Sequence, residues 1–478
     1  MVTEAGLCAA EPGRMTATGA GFRRLARELS ARADGVRAGG VALGNGWRGG
    51  ARDAAAGALD RAESRLRGAA DAVLACGQVL TELGEQVRTA RALLERGYGP
   101  LAVEVATRAD AAATGRLAAL SRALRDPAAF GAPVDPAVPA RGTPPTTVRA
   151  WWAGLTADQR VWLVANRPGD VGGLDGVPAA DRDAANRVRL AAALDAAARR
   201  GDEALLRGLG AIAARLADGG RVRAYLLGLD VSGDGRAIVA MGDPDRATDV
   251  LTYVPGANTA LASLGGLLDR TDRMRDAAER LDGTADVATV LWLGYDAPEW
   301  ASAMSASAAH AAVPDLDRFL DGLRATHEGP PAHQTVLGHS YGSLVVGATA
   351  RDAGLNADDV VFVGSAGVGV PSADRLELPA GHVWSSTARS DPFAYAAPGF
   401  GQFVRDAAHN VTAPFSRWYA DPVPNVDMWH GHNPSDRTFG ANVFTSDPRG
   451  GHSGYFAGAG LENIARIAVG GQHLANVD

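Results

Sequence analysis

Five consecutive residues, Gly338-His339-Ser340-Tyr341-Gly342, constrain this chain more than any other stretch. A short apolar run, Thr335-Val336-Leu337, stands before them, and Ser343 to Ala353 follows as a helix closed near Gly354. A serine in a turn that passes directly from strand to helix must adopt a strained backbone, which lifts its hydroxyl above the sheet. The two glycines belong there because side chains would strike the neighbouring strand and helix. Gly-x-Ser-x-Gly also recurs by chance, so its weight comes from this setting. The bland alternative is a glycine-rich packing turn.

The surrounding pattern supplies a sheet. Val222 to Leu229 and Arg236 to Met241 flank Ser232-Gly233-Asp234-Gly235, a hairpin signal. Further strands are expected at Val250 to Val254, Val287 to Leu293, Thr335 to Leu337, Val360 to Val363, Val383 to Thr387 and Asn442 to Thr445. Helical stretches separate most of them. One hairpin followed by crossover helices predicts a mostly parallel eight-stranded sheet covered on both faces.

A serine hydroxyl is a weak nucleophile and needs a base that is itself held by a carboxylate. Composition narrows the options. All 47 basic residues are arginine, which removes a P-loop lysine, a Schiff-base lysine and a Ser-Lys dyad. Thiolate zinc sites take two to four cysteines and a disulfide framework more than one pair, so with only Cys8 and Cys76 cysteine chemistry is not expected. All ten histidines fall between His310 and His473, so imidazole chemistry belongs to the C-terminal third. In folds with this elbow the chain order is serine, acid, histidine. His382 precedes its strand and points to the wrong edge, His409 reads as helical, and His473 lies in the tail. His452 follows the last strand in Gly450-Gly451-His452-Ser453-Gly454, a loop that can carry an imidazole over the serine. His430 and His432 form an H-x-H near Asp427; loop packing is the preferred reading over a metal. For the acid, Asp391 directly follows the strand ending at Thr387, at the edge where catalytic groups gather. Asp359 begins a strand and points away, while Asp421 and Asp436 stay open as alternatives. An oxyanion needs two donors. The N–H of Tyr341 is one, and that of Ala257, in the loop Pro255-Gly256-Ala257-Asn258, is the other expected one.

The first part of the chain is different. Phe22, Leu29, Val36 and Leu43 repeat every seven residues, with Ala26, Ala33 and Gly40 between them. Leu59, Leu66, Val73, Leu80, Val87 and Leu94 repeat likewise, with Ala62, Ala69, Cys76, Leu83 and Ala90 at the +3 positions. Such heptads predict two antiparallel helices sharing a seam. Gly44-Asn45-Gly46-Trp47-Arg48-Gly49-Gly50 forms the turn, and a third helix is expected over Ala102 to Arg125. The Trp-x-Gly turn between heptad helices resembles the WXG-type hairpin proteins of type VII secretion, over residues 14–96. That family's Tyr-x-x-x-Asp/Glu signal is not met, since Ala102 lies four residues after Tyr98.

Pro127, Pro133, Pro136, Pro139, Pro144 and Pro145 mark a linker. Beyond it Thr156-Ala157-Asp158-Gln159 is a capping-box pattern, Pro178 suits the first turn of another helix, and Trp151 and Trp152 are expected to pack against a neighbour. The expected organisation is a helical hairpin domain at 1–126, a linker at 127–149, a helical segment at 150–218 that packs on a hydrolase, and the catalytic domain at 219–478.

Several stretches carry a second resemblance: Trp151-Trp152-Ala153-Gly154-Leu155, Leu174-Asp175-Gly176-Val177-Pro178, Trp292-Leu293-Gly294-Tyr295-Asp296-Ala297-Pro298, the serine elbow, Asn433-Pro434-Ser435-Asp436 and Gly451-His452-Ser453-Gly454-Tyr455-Phe456. In this order, over about 150–465, the chain resembles an uncharacterised actinobacterial family of α/β hydrolases. The resemblance implies the α/β-hydrolase fold and a Ser-Asp-His hydrolase, without naming a substrate. The expected activity is hydrolysis of a carboxylic ester or lipid ester through Ser340, His452 and Asp391, with no cofactor and no metal. The alternatives are acyl transfer by the same residues, amide hydrolysis, and an interaction protein whose working part is the hairpin.

Partners follow from charge and hydropathy. A net charge of −7 gives no electrostatic case for nucleic acid. No apolar run approaches the roughly 18 residues that span a bilayer. Met1 to Arg14 lacks a basic region followed by an apolar one, so no Sec leader is expected and a cytoplasmic location is, with type VII export as the alternative. The hairpin at 14–96 would take a helical partner or a second copy.

Overall fold

The computed structural model describes residues 2–44, 50–125, 136–283, 285–379, 381–388, 390–391 and 427–471. The chain divides into two compact units. One comprises Met1–Val138, Gly154–Val171 and Arg187–Glu203; the other comprises Pro139–Ala153, Gly172–Asn186 and Ala204–Asp478.

Helices run through the first part of the chain as α1 (Glu4–Ala9), α2 (Pro12–Gly44), α3 (Gly50–Glu95), α4 (Gly99–Arg125), α5 (Pro145–Gly154), α6 (Ala157–Asn166), α7 (Pro168–Val171), α8 (Ala179–Arg200) and α9 (Glu203–Ala217). The heptad seam between α2 and α3 is filled by small side chains. Ala26, Ala33, Val73, Cys76, Val87 and Ala90 are buried, whereas Phe22, Leu29, Leu66, Leu80 and Leu94 are half-buried. The reason is close approach: a Cβ on Gly77 would lie 2.8 Å from the Gly19 carbonyl oxygen. Helices this near bury alanine, valine and glycine at the contact and leave the large heptad residues at its flanks. The turn around Trp47, and Pro127 and Pro133 of the expected linker, lie outside the described residues.

The linker is shorter than its prolines suggest. Pro145 opens α5, where a missing N–H costs nothing, and Pro145, Val148 and Trp152 are buried. Trp152 is fully enclosed and its indole N–H donates to Asp181 over 2.8 Å. The Thr156–Gln159 capping box forms at the start of α6, with bonds of 2.9 and 3.2 Å.

The second unit carries the sheet. Its strands are β1 (Ala224–Asp230), β2 (Arg236–Met241), β3 (Asp249–Val254), β4 (Val287–Leu293), β5 (His333–His339), β6 (Asp359–Val363) and β7 (Val383–Ser386). A short hairpin, β8 (Asp427–Met428) and β9 (Gly431–His432), comes next, followed by β10 (Asn442–Val443). The eight-stranded sheet has the order β1-β2-β4-β3-β5-β6-β7-β10. β2 is antiparallel to both β1 and β4, and every other neighbouring pair is parallel. Each expected strand is present. Every residue of β3, β4 and β6 is buried, which explains why their sequences are nearly unbroken apolar runs.

The helices that flank the sheet are α10 (Leu264–Leu281), α11 (Ser307–Thr326), α12 (Tyr341–Ala353) and α13 (Gly458–Ala468), with α11 packed on α12 and α10 on α13. In a chain without lysine the buried ion pair between α9 and α10 uses an arginine fork. Arg215 Nε and Nη2 reach the two Asp272 oxygens at 2.7 and 2.8 Å. No helix among the described residues is long and apolar enough to cross a membrane.

Candidate active site

Ser340 sits between β5 and α12 with φ 55° and ψ −125°, a conformation that L residues rarely adopt. The elbow glycines have the expected reason: a Cβ on Gly342 would fall 2.2 Å from the Val254 carbonyl oxygen. The Ser340 N–H donates to the Val363 carbonyl at the end of β6 over 3.0 Å. The next residue of that strand end, Gly364, faces the other expected groups. Its φ of +56° is one that side chains rarely adopt, and a Cβ there would lie 3.0 Å from Asp391 Oδ2 and 3.2 Å from His452 Cε1. The turn after β6 thus bridges the serine and the acid–imidazole pair.

Asp391 is fully buried, and His452 Nδ1 donates to its two oxygens at 2.9 and 3.0 Å. Two further groups hold this pair. The Tyr455 hydroxyl donates to Asp391 Oδ2 and accepts the Ala388 N–H at 2.9 Å. The Gly451 N–H donates to the Ser390 hydroxyl at 2.9 Å. His452 was expected on a flexible loop; instead it lies in a short 3₁₀ helix, Gly451–Phe456, pinned by buried Tyr455 and Phe456.

The loop after β3 approaches the serine from the other side. A Cβ on Gly256 would stand 2.7 Å from Ser340 Cβ and 3.1 Å from its Oγ. Ala257 follows, and no hydrogen bond of the described residues engages the N–H of Ala257 or of Tyr341. Asn258 has φ 60° and donates its N–H to the Pro298 carbonyl at 2.8 Å. The Tyr295 hydroxyl donates to the Pro255 carbonyl at 2.7 Å, so the Gly294-Tyr295-Asp296-Ala297-Pro298 stretch braces this loop. Burial, with Tyr341 and Tyr253 adding to it, pushes the Tyr295 pKa well above its ordinary value and keeps the phenol a neutral donor.

His339, the residue before Ser340, was not singled out by the sequence. Its Nε2–H donates to the His452 carbonyl at 2.8 Å, and the two rings stand 4.7 Å apart. Burial, then the nearby His452 and Arg270, lower its pKa to about 3. Its only sequence signal was its place next to the serine.

The remaining candidates lie elsewhere. His430 donates Nε2–H to the Ala303 carbonyl at 2.8 Å, and His432 Nε2 lies 2.8 Å from the Thr438 hydroxyl. Asp436 accepts the Thr438 N–H at 2.8 Å and is 3.4 Å from His432. His382 and Asp359 are together at the amino edge of the sheet, where His382 Nδ1 is 3.2 Å from Asp359 Oδ1. His409, His473 and Asp421 lie outside the described residues.

A family model described as Alpha/beta hydrolase matches residues 230–401. The uncharacterised protein Rv2079 of Mycobacterium tuberculosis is 32% identical over 308 residues, covering 55% of this chain and 46% of that protein. The chain therefore spans about half the length of that relative. The uncharacterised protein Rv0963c of the same organism is 35% identical over 189 residues, covering 37% of this chain and 71% of that protein. Esterase LipW from Mycobacterium marinum, a solved structure, is 14% identical over 51% of this chain and 86% of its own, with a TM-score of 0.26, too low to carry an argument. With these sequence matches, and with a sheet that places one antiparallel hairpin before parallel strands, the chain belongs to the alpha/beta hydrolase family.

Proposed function

We propose that the protein is a serine hydrolase that cleaves a carboxylic ester, including esters of lipids, through Ser340, His452 and Asp391. His452 takes the Ser340 hydroxyl proton as Oγ attacks the ester carbonyl. Asp391, hydrogen-bonded to Nδ1, orients the ring and stabilises the imidazolium that forms. The N–H groups of Tyr341 and Ala257 receive the oxyanion, aided by the amino end of α12. Collapse of the tetrahedral intermediate breaks the ester bond, and the imidazolium returns its proton to the departing alcohol. Water, activated by the same imidazole, then releases the acid from the acyl-enzyme and regenerates the serine.

The observation that carries this reading is Ser340 at φ 55° in a strand-to-helix turn, one strand end away from a hydrogen-bonded Asp391–His452 pair. A serine in a plain packing turn needs neither the strain nor the pair. The test is covalent labelling by a fluorophosphonate probe, with Ser340→Ala beside the wild type and a panel of chromogenic esters run on both. Labelling confined to the wild type, with esterase activity on the order of 10³-fold lower or worse in the variant, is the expected result. A folded wild type that neither labels nor turns over any ester would refute the assignment.

A further inference from the structure

We infer that His339 is a positioning residue for the base: by donating Nε2–H to the His452 carbonyl, it ties the turn that carries the imidazole to the strand that carries the nucleophile. The inference rests on the serine-hydrolase reading above. His452 stands on a 3₁₀ turn that follows a stretch of exposed loop, Pro448 to Gly450. The Asp391 bond fixes the ring by its Nδ1 side, but a ring can still swing with its backbone. The His339 bond acts on that backbone directly, at 2.8 Å, from the residue adjacent to Ser340. A shift of the turn relative to β5 strains this bond, so it adds a direct link from the base's backbone to the nucleophile's strand beside the anchors that Ser390, Tyr455 and Phe456 give the turn.

The chemistry of the link restricts what can stand at position 339. The acceptor is a carbonyl, so the residue must donate. It also faces the His452 ring at 4.7 Å, and that ring must accept a positive charge during turnover. A second cation at this distance in a buried site would oppose the charge the mechanism creates. Burial holds His339 at a pKa of about 3, so it supplies the N–H without the charge. Its ring also meets Phe456 edge-on at 5.2 Å, which packs it against the base's own turn. A neutral donor of histidine's reach is therefore required, and glutamine, whose amide nitrogen sits about as far along the side chain as Nε2, meets the requirement.

The test compares His339→Gln with His339→Phe in the full chain. Phenylalanine keeps the ring and its packing but donates nothing. Expected for His339→Phe is a kcat about 10–100-fold below wild type on a short chromogenic ester, with KM within about 2-fold and a fluorophosphonate labelling rate that falls in parallel. His339→Gln is expected within about 5-fold of wild type in kcat, although it fills the site less well. A structural role alone would give the opposite order, because the glutamine variant loses more packing; that result, or a fully active phenylalanine variant, would overturn the inference. The outcomes separate from failure of the hydrolase reading, because that failure appears in the wild type itself, as absent labelling and turnover, and would remove the inference with it.

Discussion

The two edges of the sheet carry nearly the same furniture. At the carboxyl edge Asp391 pairs with His452 and accepts a hydroxyl from Tyr455. At the amino edge Asp359 pairs with His333 at 2.8 Å and accepts the Trp384 indole N–H at 2.7 Å, with His382 at 3.2 Å from the same carboxylate. What differs is what the imidazole is left to do. Both nitrogens of His333 face acceptors, Asp359 and the Ala468 carbonyl, the latter at 3.2 Å. Burial opposes its charged form, but the bond to Asp359, the bond to Ala468 and the nearby carboxylates outweigh burial and raise its pKa. A ring engaged at both nitrogens has neither free to reach a hydroxyl proton. At the carboxyl edge the neighbouring feature is a strained serine. An acid–imidazole pair is thus an ordinary structural device, and what sets the proposed site apart from the ion pair is the strained serine backbone beside it.

The comparison breaks most visibly at the carboxyl edge. Ser340→Ala should abolish esterase activity, by about 10³-fold or more, and Asp391→Asn should cost about 10²–10⁴-fold through a misoriented imidazole, with Tm changed little in either. Both are read by steady-state kinetics on chromogenic esters. Tyr455→Phe removes one hydrogen bond from a fully buried carboxylate and should lower kcat about 5–30-fold, leaving the fluorophosphonate site accessible. At the amino edge, Asp359→Asn should leave kcat and KM within about 2-fold while costing about 1–3 kcal/mol of stability in urea unfolding. Equal kinetic damage from both edges would erase the distinction between them.

The finest test is the pH dependence of that loss. His333 has a folded pKa above the usual 6.5, so its contribution is full below 6.5 and is lost as pH rises through the folded value. Burial alone would raise the pKa of Asp359, but the bonds from His333 and Trp384 and the charges of His333 and His382 bring it below 3.8. Its contribution is therefore full above 3.8 and is lost as pH falls through the lower folded value. Wild type and Asp359→Asn should differ most between about pH 4 and 6.5 and converge on either side, which a Tm series across pH would show.

The sheet was legible because its strands are buried on both faces and bounded by turns, so apolar runs such as Val287 to Leu293 mark them with little ambiguity. Ser340 was legible for the same local reason, a serine between a run and a helix. Asp391 and His452 were reachable only as positions after late strands, and the structure brings them together by a direct hydrogen bond across 61 positions of the chain, beside Gly364. The contacts of Tyr455 and His339 with the acid–imidazole pair were not legible, because they depend on which groups the fold brings to face them. The heptads named the right helices but overstated the large residues at their contact, since the approach at Gly19 and Gly77 is set by backbone and not by side-chain size. Helix α13 was missed because its apolar face reads as tail once the last strand has passed.

The division of the chain into units also bears on how such a protein can be inherited. Residues 154–171 and 187–203 group with the helical unit, while 139–153 and 172–186 group with the sheet. A gene rearrangement that joined or removed one unit at a single crossover would strand pieces of the other, wherever in 127–203 it fell. Two modules fused end to end can be shuffled by one cut. These two are interleaved in sequence, so a single cut between them leaves pieces of one attached to the other.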